Sequence, residues 1–185
     1  ADALIAAHEA GVVHRALKPE NIFLEGDSGA RRVRVIDFGI ARLVASEDLA
    51  RTQLTTTGAV LGTPTYMSPE QARGGDDVDE QTDVWALAVM LYEMLTGATP
   101  FRRATPHATL AAILRDPVAS PNEAAADTPA PVATVVLRAL QRNRVERFGT
   151  MREFADALRA ASVSAVDASA AITKPPPVTA INARP

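Results

Sequence analysis

From Asp83 to Leu95 the sequence is almost continuously apolar: Val84-Trp85-Ala86-Leu87-Ala88-Val89-Met90-Leu91-Tyr92, then Met94-Leu95. A helix apolar on every face is buried on every face, so this stretch is expected to be the central helix of the core. Thr96-Gly97 ends it, with Pro100 just beyond. Asp83 opens it, where a short acidic side chain caps free N–H groups. Shorter helices are expected at about Ala108–Arg115, Pro131–Gln141 and Met151–Ala161, punctuated by Pro117, Pro121, Pro129 and Pro131.

Ahead of that helix the elements are short. Leu4 and Ile5 stand at helical spacing from His8, and Gly11 supplies a stop, so Ala1 to Ala10 reads as the end of a helix. Val12-Val13, Ile22-Phe23-Leu24 and Val33, Val35 and Ile36 are strand-like runs, and Glu25-Gly26-Asp27-Ser28-Gly29 is a turn. Ile40 to Leu61 has no periodicity and is rich in Thr, Ser and charge, as expected of a long mobile loop, a kind usually functional or disordered in a compact domain. After Ala161 the chain turns to Ala, Ser, Val, Thr and Pro, with Pro175-Pro176-Pro177 near its end. Such a composition buries too little surface to fold alone.

The 185 residues are enough for one domain with a sizeable core, or one domain plus a tail. Apolar residues make up 47% and the net charge is −3, which is globular composition without a nucleic-acid bias. The absence of cysteine excludes disulfides and thiolate zinc sites, and His8, His14 and His107 are too scattered for a metal cluster. No apolar run reaches the length of a membrane span and no signal peptide is visible, so the expected location is the cytoplasm. Arginine far outnumbers lysine and alanine is abundant, usage that hints at a GC-rich bacterial genome.

Three motifs carry chemistry. His14-Arg15-Ala16-Leu17-Lys18-Pro19-Glu20-Asn21 runs into the apolar Ile22-Phe23-Leu24. Asp37-Phe38-Gly39 follows a strand, sixteen positions after Asn21. Gly62-Thr63-Pro64-Thr65-Tyr66-Met67-Ser68-Pro69-Glu70 precedes the apolar helix. In this order they resemble a serine/threonine protein kinase: the catalytic loop His-Arg-Asp-Leu-Lys-Pro-Glu-Asn, the metal-binding Asp-Phe-Gly and the Ala-Pro-Glu that ends the activation segment. The departures are Ala16 at the catalytic aspartate and Ser68 at the alanine of Ala-Pro-Glu.

The resemblance implies a role for each matching residue. The family's aspartate accepts the substrate hydroxyl proton, and Ala16 has no atom that can. Asn21 and Asp37 match the Mg²⁺ ligands, two oxygen donors suited to a hard cation that keeps most of its waters. Lys18 matches the lysine that steadies the transferred phosphoryl group, and Thr63 the threonine that braces the aspartate and this lysine. Phe23 resembles the floor under the adenine ring. His14, Phe38 and Gly39 shape the loops, and Asp83 holds the backbone of the His14-Arg15 turn beside its capping role. Glu70 would be buried and needs a partner, for which Arg147 in Val145-Glu146-Arg147-Phe148 is the matching arginine. Thr52, Thr55, Thr56 and Thr57 are candidate phosphosites, where about two negative charges would face Arg15.

The implied fold is mainly α, a protein-kinase-like C-terminal helical lobe over 1–160 with short β-hairpins near the active site. Residues 161–185 read as a disordered Ala/Pro-rich linker. No Gly-x-Gly-x-x-Gly and no Val-Ala-x-Lys of an N-terminal β lobe occurs in these residues. The chain is therefore expected to be a fragment of a longer gene product or a truncated reading frame. ATP and Mg²⁺ are the implied cofactors, bound weakly or not at all by this stretch, and the implied partner is a protein bearing Ser or Thr. Ala16 makes catalysis impaired in this reading. The alternatives are a pseudokinase that serves as a binding or scaffold module, and a non-functional gene remnant.

Overall fold

The computed structural model describes residues 1–26, 31–38, 64–75 and 78–172. Helix α1 spans Asp2–Glu9, a 3-10 turn spans Pro19–Asn21, and strands β1 (Ile22–Glu25) and β2 (Arg32–Val35) follow. A second 3-10 turn covers Pro64–Tyr66. Six helices complete the described chain: α2 (Pro69–Ala72), α3 (Glu80–Thr96), α4 (Pro106–Arg115), α5 (Pro121–Ala124), α6 (Ala130–Ala139) and α7 (Met151–Ile172). The strands pair antiparallel, with Ile22 opposite Val35 and Glu25 opposite Arg32. The architecture is a helical body with one small β-hairpin on it. Among the described residues no helix is long and apolar enough to cross a membrane.

Helix α3 is the core element that its apolar run predicts. Val84, Trp85, Ala88 and Val89 are fully buried, and α6 and α7 pack against it and against each other. Trp85 stacks on Phe101 with ring centroids 5.4 Å apart and planes 9° from parallel. Such offset aromatic pairs add about 0.5–1.5 kcal/mol beyond their buried area. Phe148 and Phe154 close the other side, their centroids also 5.4 Å apart. Gly97 ends α3 at φ 77°, and its N–H bonds to the Glu93 carbonyl. No side chain would meet a Cβ there, so the backbone conformation alone favours glycine.

Several details differ from the expectations. α3 starts at Glu80, and its N-cap is Asp79, whose carboxylate accepts from the Gln81 N–H at 3.0 Å. Asp83 is therefore inside the first turn and is not the cap. The turn before the apolar run is polar in sequence, yet Gln81, Thr82 and Asp83 are all buried because distant groups satisfy them. At the other end Met94 is 71% exposed, so the helix is not covered on every face where it leaves the core. Val12-Val13 forms no strand. Helices α2 and α5 had no counterpart in the periodicity. α7 continues past Ala161 to Ile172; Ala161 is buried, and the alanine-rich sequence beyond it extends an already nucleated helix at little cost.

Candidate functional site

The turn that begins at His14 is fastened mainly by side chains that bond to its backbone. Asp83, wholly buried on α3, accepts the His14 N–H on Oδ2 and the Arg15 N–H on Oδ1, each at 2.8 Å. The His8 ring, from α1, reaches the same Oδ2 at 2.8 Å. One carboxylate thus fastens helix α1, the turn and the central helix together. Arg15 is held at φ 65°, a left-handed conformation that a non-glycine residue adopts at a cost of about 1–2 kcal/mol. Its guanidinium donates to the Val78 carbonyl.

The His14 side chain is fully buried beneath the turn. Its Nε2 donates to the Ile36 carbonyl at 2.9 Å, and its Nδ1 accepts the Ala16 N–H at 3.3 Å. These are the two roles of a single neutral tautomer. The ring also lies 4.8 Å from that of Phe38, tilted by 53°. Asn21 is buried at the end of the 3-10 turn; its amide donates to the Ala16 carbonyl at 3.4 Å and its own carbonyl accepts the Ile36 N–H at 3.0 Å. Through Ile36 the structure brings Asn21 beside Asp37, which is exposed and left-handed at φ 61°. Two strained residues flanking one small region is the pattern of a site in which geometry is imposed on the chain.

Ala16 and Lys18 are exposed on the same turn, and Phe23 stands on β1 with 54% of its surface accessible. Thr63, Gly39 and the candidate phosphosites Thr52, Thr55, Thr56 and Thr57 lie outside the described residues. Glu70 and Arg147 meet in the interior at the N-terminus of α2. Arg147 Nη1 donates to Glu70 Oε1 at 2.8 Å and Nη2 to Oε2 at 3.2 Å, with both side chains almost inaccessible. Arg147 also donates to the carbonyls of Gln81 and Gln141 and lies over the Trp85 ring. Burial by itself would raise the Glu70 carboxyl. The hydrogen bond and charge of Arg147, with Thr82 donating at 3.0 Å, outweigh it and hold the group below its ordinary value.

Between the turn and the ion pair lies a connection that the motifs alone did not announce. The Ser68 hydroxyl accepts the Gln71 N–H, and the Gln71 side chain accepts the Ser68 N–H at 3.1 Å, a complete capping box. Thr82 gives its proton to Glu70, so the Ser68 hydroxyl is the donor in its 3.1 Å contact with Thr82. The other end of the Gln71 amide donates to the Arg15 carbonyl at 2.6 Å. Ser-x-x-Gln is the sequence signature of this cap; His8 carried no comparable signal. Nearby, Tyr66 donates to Glu93 at 2.7 Å, and burial together with that bond raises its phenol well above the ordinary value.

Chemically, the region offers one exposed carboxylate, one buried amide and one exposed ammonium around a rigid turn. Among the described residues no group of three or more His, Asp or Glu is placed to hold a metal ion. Asp37 and Asn21 carry oxygen donors of the kind Mg²⁺ takes, and a pair of them would need phosphate and water to complete a shell.

Residues 1–158 match the family profile described as the protein kinase domain. Over 175 residues the chain is 41% identical to serine/threonine-protein kinase Pkn1 of Myxococcus xanthus, which covers 94% of this chain and 24% of that protein. It is 40% identical over 172 residues to serine/threonine-protein kinase PknB of Mycolicibacterium smegmatis, covering 92% and 26%. Against PknB of Mycobacterium tuberculosis the identity is 41% over 158 residues, covering 85% and 24%. The chain spans about a quarter of the length of the curated relatives it matches.

Proposed function

Because this chain belongs to the protein kinase family, we propose that residues 1–160 are the large helical lobe of a bacterial, cytoplasmic serine/threonine kinase whose proton acceptor is missing at position 16. In this reading Asn21 and Asp37 hold Mg²⁺ on ATP, and Phe23 lies against the adenine ring. Lys18 neutralises charge on the phosphoryl group, with Thr63 bracing it, and the acceptor is a Ser or Thr of a protein. Bound Mg-ATP would supply the transferable phosphoryl group. The protein's own contribution is position and charge, because phosphoryl transfer demands little else. Glu70, Asp83 and Arg147 act by shaping the lobe. Thr52, Thr55, Thr56 or Thr57, once phosphorylated, would pair with Arg15.

One observation carries this reading. The turn is fastened at its backbone by Asp83 as a working loop would be, while Ala16 has no group that can take a proton. A positioned base contributes about 10²–10⁴-fold in rate. The test is radiolabelled transfer from ATP to a generic Ser/Thr protein, in the longest in-frame gene product that contains these residues. Ala16→Asp is expected to raise transfer by about 10²–10⁴-fold. Equal rates with alanine and aspartate would overturn the reading.

The same alanine favours a second reading, a binding module that transfers nothing. Its test is ATP titration of both proteins. Tight Mg-ATP binding with no transfer from the aspartate variant would support the module and count against the kinase.

A further inference from the structure

The peptide that joins Arg15 to Ala16 is gripped on both of its polar atoms. Its carbonyl accepts from Gln71 Nε2 at 2.6 Å, and its N–H donates to His14 Nδ1 at 3.3 Å. The preceding peptide is held separately, through the Arg15 N–H on Asp83. Arg15 sits at φ 65°, where a non-glycine residue gains by leaving. The φ of Arg15 belongs to that preceding plane, which Asp83 holds in place; rotation of the 15–16 plane changes ψ of Arg15 and φ of residue 16, and so re-aims residue 16. Nothing on the residue 16 side chain resists the rotation. The two hydrogen bonds on the peptide do.

We propose that Gln71 is a positioning residue for position 16. Its carboxamide oxygen closes the Ser68 cap of α2 while its nitrogen locks the 15–16 peptide. A primary carboxamide suits this task because it is at once donor and acceptor in one planar group. The bond also gives the Ser68-Pro69-Glu70 segment a direct hold on the turn, across 56 positions of sequence. The structural part of the proposal stands on geometry alone. Its consequence for transfer rests on the kinase reading above.

Gln71→Glu separates the two ends of the group. Glutamate at this position keeps the acceptor for the Ser68 N–H, and the Ser-x-x-Glu box is itself a good cap. It cannot donate to the Arg15 carbonyl. In the 185-residue chain, amide hydrogen exchange followed by NMR is expected to show the Ala16 N–H exchanging about tenfold faster, the scale of one lost hydrogen bond. The melting temperature and the α3 amides are expected to change less than in Gln71→Ala, because the cap is kept. Gln71→Ala should release Ala16 equally and lower the melting temperature, since it loses the cap as well. An Ala16 amide unchanged in both variants would overturn the proposal. So would a rise in the α3 amides of Gln71→Glu as large as that at Ala16, which would make Gln71 a stability residue only.

A second arm reads the chemistry. In the Ala16→Asp gene product, Gln71→Glu is expected to lower kcat about tenfold with the KM for ATP unchanged, the signature of an interaction used after binding. An unchanged kcat there would overturn the functional part. If Ala16→Asp shows no transfer at all, the kinase reading fails by itself, and the exchange experiment still decides the role of Gln71.

Discussion

Arg147 and Glu70 hold full charges where water scarcely reaches, and each is affordable only because of the other. Moving either ion out of water costs several kcal/mol, which mutual attraction and further hydrogen bonds offset. Arg147 meets that condition: both oxygens of Glu70 accept from it, and two backbone carbonyls take more of its protons. Its removal would leave a buried carboxylate beside Thr82 with no counter-charge. Arg147→Ala is therefore expected to lower stability by about 3–5 kcal/mol, a large part of the roughly 5–15 kcal/mol that domains possess. Urea unfolding checks this, and an unchanged midpoint would mean that water reaches the pair. Asp83 plays a parallel part, but with backbone partners: it turns one buried charge into an anchor for two peptide N–H groups and the His8 ring.

At the level of elements, α2 is the revealing case. A helix of one turn has no stability of its own, so Pro69–Ala72 persists through its cap and through Glu70. Ser68→Ala removes the hydroxyl that accepts the Gln71 N–H and donates to Thr82. The expected loss is about 1 kcal/mol, within the 0.5–2 kcal/mol typical of N-caps, read as a lower melting temperature. The Ser-x-x-Gln spelling of that cap was open to view in the sequence, though a comparison with Ala-Pro-Glu makes the serine look like a minor departure. Helix α3 was legible from its apolar run alone. Its first turn was not, because Gln81, Thr82 and Asp83 are buried on the strength of partners 12 to 75 positions away. Periodicity registers oil and water within a window, and it cannot register a polar group whose partner arrives from another element. The overrun of α7 has the opposite origin: a local preference for helix continues after packing has ended.

For the molecule as a whole, the charges set a pH window. Glu70 lies below its ordinary value of 4.5 in the fold, so its contribution is complete above that value and is lost as pH falls through the lowered one. Acid unfolding is thus expected below pH 4.5, and Glu70→Gln should flatten that limb in a titration followed by circular dichroism. On the alkaline side, burial and Glu93 raise Tyr66, and burial raises Tyr92; stability held by the neutral phenols is complete below 10 and declines above it. The turn around His14 was readable because its residues are contiguous. Of what fastens it, the resemblance pointed to Asp83, while His8 and Gln71 were hidden because they come from two other helices.

That fastening has a consequence for how such a chain changes over generations. Among the described residues, five main-chain atoms of the turn beside residue 16 carry hydrogen bonds from side chains: the His14 and Arg15 amides, the Arg15 carbonyl, the Ala16 amide and carbonyl. The side chain at position 16 is exposed and takes no part. A carboxylate in place of the methyl group would leave each of those bonds available. Where the main chain alone carries the fastening, selection for a stable protein has little hold on the side chain, and selection for what the protein does has the larger say in keeping or discarding the acid.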